Sequence, residues 1–126
     1  MQIHKVLVAE DDDYIRKVTE VSLKRSGFDV RSVEDGSKVF PALADSLVDL
    51  IVLDGMMPVM DGFECCRRLK ADPRTAGIPV IMVTARSQNN DECIAREAGA
   101  IGYIRKPFNA LTLGDQLREI CAQLPA

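Results

Sequence analysis

The chain has 126 residues, of which 47% are hydrophobic and 28% charged, and its formal net charge is −3. This length suits one hydrophobic core, and the composition excludes general disorder, which requires low hydrophobicity and high net charge. Apolar runs are too short to span a bilayer, and no secretory signal follows Met1. An acidic chain is also poorly suited to binding a nucleic-acid backbone. We therefore expect no membrane and no direct nucleic-acid partner.

Short apolar runs alternate along the chain with amphipathic stretches. The runs that predict strands are Val6–Ala9, Phe28–Val33, Leu50–Leu53, Val80–Val83 and Ala100–Ile104. Four of them are almost continuously apolar, which is typical of strands buried on both faces of a parallel sheet. Phe28–Val33 alternates instead and is expected at an edge of the sheet. The remaining stretches predict helices, with apolar residues at Ile15, Val18 and Val21; at Phe40, Leu43 and Leu47; at Phe63, Cys66 and Leu69; at Ile94, Ala95 and Ala98; and at Leu113, Leu117, Ile120 and Leu124.

Local signals mark several ends of these predicted helices. Gly27 and Gly99 are expected to stop the first and fourth helices, since glycine adopts the left-handed backbone conformation of a helix C-terminus. Asp61 and Glu64 have the spacing of a capping box at the start of the third. Pro41 lies inside the second helical pattern and lacks a backbone N–H, so we expect a kink or an irregular first turn there.

Strict alternation of strands and helices predicts one doubly wound α/β domain covering residues 1–126. Parallel neighbours require right-handed crossovers, so helices should cover both faces of the sheet. In such sheets ligands bind beyond the carboxyl ends of the strands. The residues that follow each apolar run are therefore the candidates for chemistry.

Charged and hydroxyl side chains occupy those positions. Glu10, Asp11, Asp12 and Asp13 follow the first strand, Asp54 follows the third, Thr84 ends the fourth and Lys106 follows the fifth. Acids crowded in a partly desolvated cleft repel one another, so one of them protonates or a cation neutralises the cluster. A pocket of oxygen ligands prefers a hard ion such as Mg²⁺. A carboxylate beside Mg²⁺ and a lysine can attack an activated phosphoryl group, which gives an aspartyl phosphate.

The four cysteines form no Cys-x-x-Cys pair: they are Cys65, Cys66, Cys93 and Cys121. Zinc ligation is therefore not expected, and His4, the single histidine, is distant from them in sequence. We expect free thiols in the reducing environment of the cytoplasm.

Four motifs resemble those of the receiver domain of bacterial two-component response regulators, the CheY-like family: Val8–Asp12, Leu53–Gly62, Val83–Ala85 and Tyr103–Phe108. They occur in the family's order, and the resemblance spans essentially the whole chain. It implies a flavodoxin-like fold with a five-stranded parallel sheet in the order 2-1-3-4-5. It also implies a phosphorylation-activated switch that turns over no external substrate. The phosphoryl donor would be a phosphohistidine on a sensor histidine kinase or a histidine phosphotransfer protein.

The resemblance implies a role for each matching position at the predicted site. Asp54 is the phosphoryl acceptor, Mg²⁺ or Mn²⁺ is held by Glu10, Asp11, Asp54 and the backbone carbonyl of Met56, and the phosphoryl oxygens contact Thr84 and Lys106.

Further implied roles concern switching and the lifetime of the phosphate. Tyr103 matches an aromatic residue whose rotamer follows the movement of Thr84, and the family holds the bond before Pro107 in the cis form. Phosphorylation would thereby reshape the surface formed by the fourth helix, the fifth strand and the fifth helix. Met56 and Arg86 flank the path of hydrolytic water and are expected to modulate dephosphorylation.

Several alternatives stay open at the level of sequence. A shift by one residue would give the metal role to Asp11 and Asp12. A haloacid-dehalogenase-like phosphatase would need an acid where Met56 stands, and a phosphorylation-independent interaction module would keep the fold alone. The output domain or target is unknown, and the chain is expected to be a monomer or a phosphorylation-dependent dimer.

Overall fold

A computed structural model describes residues 3–85 and 91–123. Within these ranges the strands are Lys5–Ala9 (β1), Asp29–Val33 (β2), Leu50–Asp54 (β3), Val80–Thr84 (β4) and Gly102–Arg105 (β5). The α-helices are Asp13–Arg25 (α1), Val39–Asp45 (α2), Gly62–Ala71 (α3), Asp91–Glu97 (α4) and Leu113–Ala122 (α5). A short 3₁₀ turn, Gly36–Lys38, precedes α2. The predicted alternation of strands and helices is confirmed.

The strands form one parallel sheet in the order β2-β1-β3-β4-β5, which confirms the expected topology. β2 lies at an edge, as its alternating pattern predicts. β3 lies in the middle, and all five of its residues are buried. The register places Ala9 beside Leu53 and Asp54 beside Val83, so the carboxyl ends of these strands reach the same rim.

The sheet divides the hydrophobic core into two clusters, one on each face. Side chains on one face of the sheet, such as Leu7 and Ile51, pack with α2, α3 and α4. Side chains on the other face, such as Val8 and Val52, pack with α1 and α5. Because both sheet faces are covered, the inner strands read as continuous apolar runs.

Helix ends follow the predicted signals. Gly27 and Gly99 have φ angles of 97° and 106°, the left-handed conformation expected just past a helix end. The Asp61 side chain accepts a hydrogen bond from the amide of Glu64 at 2.9 Å and thereby caps α3. Pro41 is the third residue of α2, and the preceding 3₁₀ turn is the irregular start that this proline predicts.

Two predicted apolar stripes differ from the structure. In α1 the buried residues include Thr19 and Ser22, whereas Val21 is 39% exposed. The hydroxyls of Thr19 and Ser22 donate to the carbonyls of Ile15 and Ala110, so they can be buried without losing hydrogen bonds. Leu47 was also expected on a helix, but α2 ends at Asp45. Leu47 is 57% exposed beyond that end. Leu124 lies outside the described residues.

The cysteines are all free, as expected, and three of them are buried: Cys65, Cys66 and Cys121. Burial raises the pKa of the Cys65 thiol to about 12, so this side chain is an unreactive core residue. None of the helices within the described ranges is long and apolar enough to cross a membrane.

Candidate functional site

The carboxyl ends of β1, β3 and β5 bring two acids and a lysine together. Glu10 directly follows β1, Asp54 is the last residue of β3, and Lys106 directly follows β5. Each of them stands two residues after Val8, Val52 or Ile104, whose side chains lie on the sheet face covered by α1 and α5. Side chains two residues apart on a strand point to the same face. The sequence positions therefore aim the three side chains to the same side of the rim.

Lys106 lies between the two acids. Its Nζ is 2.5 Å from Glu10 Oε1 and 3.4 Å from Asp54 Oδ2. The side chains of Lys106, Glu10 and Asp54 are only 12%, 5% and 6% exposed. Removing the lysine from between two buried carboxylates leaves an uncompensated charge in the interior, so the three side chains depend on one another for stability.

This environment changes the pKa values of Asp54 and Lys106. Burial raises the pKa of Asp54 from its ordinary 3.8 to about 7, and hydrogen bonding with Glu10 acts in the same direction. The Met56 amide, which donates to Asp54 Oδ1 at 3.1 Å, and the charge of Lys106 oppose this rise. Burial acts to lower the pKa of Lys106, but its bond to Glu10 and the charge of Asp54 outweigh burial and raise it.

A third carboxylate completes an oxygen-lined cluster. One carboxylate oxygen from each of Glu10, Asp11 and Asp54 lies within 4.8 Å of the others, and Asp11 is exposed to solvent. Asp12 faces elsewhere: its side chain accepts from the Ile15 amide at 2.9 Å and caps α1. Among the described residues, the acidic cluster therefore contains Glu10 and Asp11 and not Asp12.

The loop between β3 and α3 closes one side of the cluster. A Cβ on Gly62 would collide with the Asp54 carbonyl, and one on Gly55 would lie 2.9 Å from Thr84 Oγ1. Glycine at both positions therefore permits the loop to pack directly on the strand ends. The Met56 side chain is 58% exposed, and the cleft beside the cluster is lined by Asp11, Gly55, Met56, Met57, Pro58 and Asp61.

The other predicted site residues lie at the same rim or near it. Thr84 ends β4 and is fully buried, and the Lys106 amide donates to its carbonyl at 3.0 Å. Tyr103 is paired in register with Met82, so it shares the sheet face of Thr84 and is partly buried there. The peptide bond between Lys106 and Pro107 is cis. Arg86 lies outside the described residues.

Arg16 was not identified from the sequence. Its guanidinium donates to the Glu10 carbonyl at 3.0 Å and to Asp13 Oδ1 at 2.5 Å. The spacing of Asp13 and Arg16 on a helix indicates an ordinary surface ion pair. The contact with the Glu10 carbonyl depends on how the chain turns from β1 into α1, which residue spacing does not reveal.

Most of the chain matches one known protein family. Residues 6–118 match the profile of the response regulator receiver domain. The chain therefore belongs to the family of response regulator receiver domains of two-component systems.

Two of the relatives that the chain matches are regulatory proteins about twice its length. It is 40% identical over 121 residues to the transcriptional regulatory protein GltR of Pseudomonas aeruginosa, covering 96% of this chain and 47% of GltR. It is 35% identical to the DNA-binding response regulator MtrA of Mycolicibacterium smegmatis, covering 90% of this chain and 49% of MtrA. The chain thus spans about half the length of these relatives.

Solved structures of two receiver proteins superpose closely on the chain. The chemotaxis response regulator CheY4 of Vibrio cholerae has a TM-score of 0.86 at 28% identity, covering 94% of this chain and 99% of CheY4. The receiver domain of the Francisella response regulator 1452 has a TM-score of 0.85 at 27% identity, covering 95% and 98% of the two chains. The flavodoxin-like fold expected from the sequence is therefore confirmed.

Proposed function

We propose that residues 1–126 act as a single receiver module that accepts a phosphoryl group on Asp54 in a Mg²⁺-dependent reaction. One observation carries this proposal. A buried carboxylate at the end of β3 has the Lys106 ammonium 3.4 Å away and shares an oxygen cluster with Glu10 and Asp11. A nucleophile, a cation and a set of metal ligands thus meet at one rim, which is the combination that phosphoryl transfer needs.

The donor set fits a hard divalent cation. The side chains of Glu10, Asp11 and Asp54 supply oxygen ligands, the Met56 carbonyl would supply another, and the exposure of Asp11 leaves room for bound water. When bound, Mg²⁺ neutralises negative charge at the site and on the incoming phosphoryl group. Mn²⁺ prefers the same kind of ligands and is expected to substitute for it.

The transfer itself requires the ionised form of Asp54. One Asp54 carboxylate oxygen forms a bond to phosphorus while the bond between phosphorus and the donor imidazole nitrogen breaks, and the imidazole leaves and takes up a proton. Lys106 and Thr84 hydrogen-bond the equatorial phosphoryl oxygens, where charge accumulates. The positive charge of Lys106 also favours the ionised Asp54 against the effect of burial.

An apolar surface borders the site on the side of α1. Tyr14 and Leu111 are 77% and 86% exposed, although both are large and hydrophobic. A cleft on this surface is lined by Tyr14, Ile15, Val18, Lys106, Pro107 and Phe108. Contiguous exposed apolar surface marks interaction sites, and this one includes Lys106, which contacts Asp54. We therefore place the phosphohistidine-bearing kinase or phosphotransfer protein there.

Phosphorylation would be read out through Thr84 and Tyr103. A phosphoryl group adds charge and acceptor oxygens that attract the Thr84 hydroxyl. Because Tyr103 shares the sheet face of Thr84 and is partly buried, it can turn into space that Thr84 vacates. The face formed by α4, β5 and α5 then shifts its population between two packings. Nearly complete conversion requires about 5 kcal/mol of differential binding.

The remaining partners and the phosphate lifetime belong to the same proposal. Met56 is exposed beside Asp54 and, together with Arg86, would modulate hydrolysis of the aspartyl phosphate. The four free cysteines suit the reducing cytoplasm. The module turns over no external substrate, and it controls an output domain or partner of unidentified nature, either as a monomer or as a phosphorylation-dependent dimer.

Intact-mass measurement tests the phosphoryl acceptor. The protein is incubated with a phosphoramidate donor, with Mg²⁺ or with EDTA. We expect one phosphoryl adduct on the wild type with Mg²⁺, and none with EDTA or on Asp54→Ala. Asp12→Asn keeps a capping side chain on α1 and is expected to be labelled like the wild type.

Three results would contradict the proposal. An adduct on Asp54→Ala would place the acceptor elsewhere. An unlabelled wild type, beside a labelled control receiver, would favour the interaction module that works without phosphorylation. Multiple turnover of a generic phosphomonoester would favour a phosphatase.

A further inference from the structure

Arg16 braces the turn that leads from β1 into α1. Its Nη1 donates to the carbonyl of Glu10 at 3.0 Å, and its Nη2 is 2.5 Å from Asp13 Oδ1. The Arg16 side chain is 21% exposed, whereas its partner Asp13 is 90% exposed. One end of the guanidinium fork therefore lies against the site while the other end is held at the surface.

The carbonyl that Arg16 binds belongs to the peptide joining Glu10 to Asp11. A peptide unit is planar and includes the Cα atom of the next residue. A hydrogen bond to the Glu10 carbonyl oxygen therefore restrains the orientation of this unit and the position of the Asp11 Cα atom. The rest of Glu10 is held independently. Its amide donates to the Val33 carbonyl at 3.0 Å, and its carboxylate accepts from Lys106 and from the Asp12 amide. The Asp11 carboxylate, by contrast, is exposed.

We infer that Arg16 is a positioning residue for the Asp11 carboxylate, acting through the Glu10 carbonyl. This inference rests on the proposed function, because it takes Asp11 to be a Mg²⁺ ligand. Outer contacts that orient metal ligands typically change metal affinity by 10- to 100-fold when they are removed.

The positive charge of Arg16 and its hydrogen bonds have opposite effects on the affinity of the site for Mg²⁺. A guanidinium near a cation site repels Mg²⁺, so its loss would tighten binding if charge alone mattered. Loss of the hydrogen bond from Arg16 to the Glu10 carbonyl would instead weaken Mg²⁺ binding. Arg16→Lys separates the two effects, because lysine keeps the charge but lacks the planar fork that reaches two acceptors at once.

Mg²⁺ titration followed by the amide NMR spectrum tests the inference, since the same spectra report folding and affinity. We expect Arg16→Ala and Arg16→Lys both to raise the Mg²⁺ dissociation constant by about 10-fold. Arg74→Ala is the matched control. It removes an arginine paired with Asp72 at 2.9 Å in the segment that precedes β4, at the opposite rim of the sheet, and is expected to bind like the wild type.

The outcomes separate this inference from the proposed function. If the wild type binds Mg²⁺ and either Arg16 variant binds it as tightly or more tightly, Arg16 does not position Asp11. If the wild type itself does not bind Mg²⁺, the proposed function fails and the inference fails with it. Should Arg16→Ala lose its folded spectrum, Arg16→Lys decides, because it keeps both the charge and the aliphatic stem.

Discussion

Replacing Asp54 with Asn should stabilise the metal-free protein, and the gain should grow with pH. Burial raises the pKa of Asp54 from 3.8 to about 7 in the folded state. Between these two pH values the folded protein binds a proton that the unfolded chain releases, so stability falls as pH rises. Above about pH 7 both states are ionised, and the cost of burying the charge is then constant.

The expected size of the effect follows from this difference in pKa. Each unit of pKa corresponds to about 1.4 kcal/mol, so ionised Asp54 costs on the order of 4 kcal/mol at pH 8 and about 1–2 kcal/mol at pH 5. Asn resembles the protonated acid in size and keeps an oxygen that can accept from the Met56 amide. The stability gained by Asp54→Asn should therefore rise from about 1–2 kcal/mol at pH 5 to about 4 kcal/mol at pH 8.

Urea unfolding followed by circular dichroism, in EDTA from pH 5 to pH 8, measures this gain. Asp11→Asn is the matched control, because it removes an exposed carboxylate from the same cluster and should change the free energy of unfolding by less than about 1 kcal/mol. Added Mg²⁺ should reduce the difference in the free energy of unfolding between Asp54→Asn and the wild type, since it binds the wild type more tightly than a variant that lacks one ligand. If this stability difference is the same at pH 5 and at pH 8, the pKa of Asp54 is not raised in the folded protein.

Three further substitutions test the packing around the site by the same unfolding measurement. Lys106→Met should destabilise the protein by about 3 kcal/mol at pH 8 and by less at pH 5, because it leaves the buried Glu10 and Asp54 without their cation; an equal loss at both pH values would contradict the ion-pair explanation. Gly62→Ala should cost about 1–3 kcal/mol, since its Cβ collides with the Asp54 carbonyl, and a neutral result would mean that the loop yields easily. Val59→Gly should raise stability by up to about 1 kcal/mol, because Val59 has a φ angle of 68°, which disfavours a β-branched residue; a loss would show that the Val59 side chain contributes packing there.

The sequence predicts the sheet well because buried parallel strands leave a strong signal. Leu50–Leu53 and Val80–Val83 are continuous apolar runs, and in the structure each lies within a fully buried strand. The residues at the strand ends could also be predicted, because parallel strands place their carboxyl ends at one rim. The meeting of Asp54 and Lys106 follows from topology and requires no knowledge of rotamers.

Other features depend on side-chain contacts that residue type does not encode. Ser22 is buried with its hydroxyl bonded to the Ala110 carbonyl, 88 residues away along the chain, whereas Val21 is exposed, so the apolar pattern of α1 indicates its buried face only in part. Lys106 is closer to Glu10 than to Asp54, and residue spacing favours neither acid. The contact of Arg16 with the Glu10 carbonyl likewise depends on the path of the turn between β1 and α1.

The central place of β3 has a consequence for slow motions of the protein. This strand is hydrogen-bonded on both sides, to β1 and to β4, and each of its residues is buried. Amide protons in such a strand exchange with solvent only when the whole domain opens, whereas amides in surface loops exchange through small local openings. We therefore expect Asp54 to be attached to one of the slowest-exchanging strands of the described residues, while the groups that approach it from the neighbouring loops adjust without disturbing that strand.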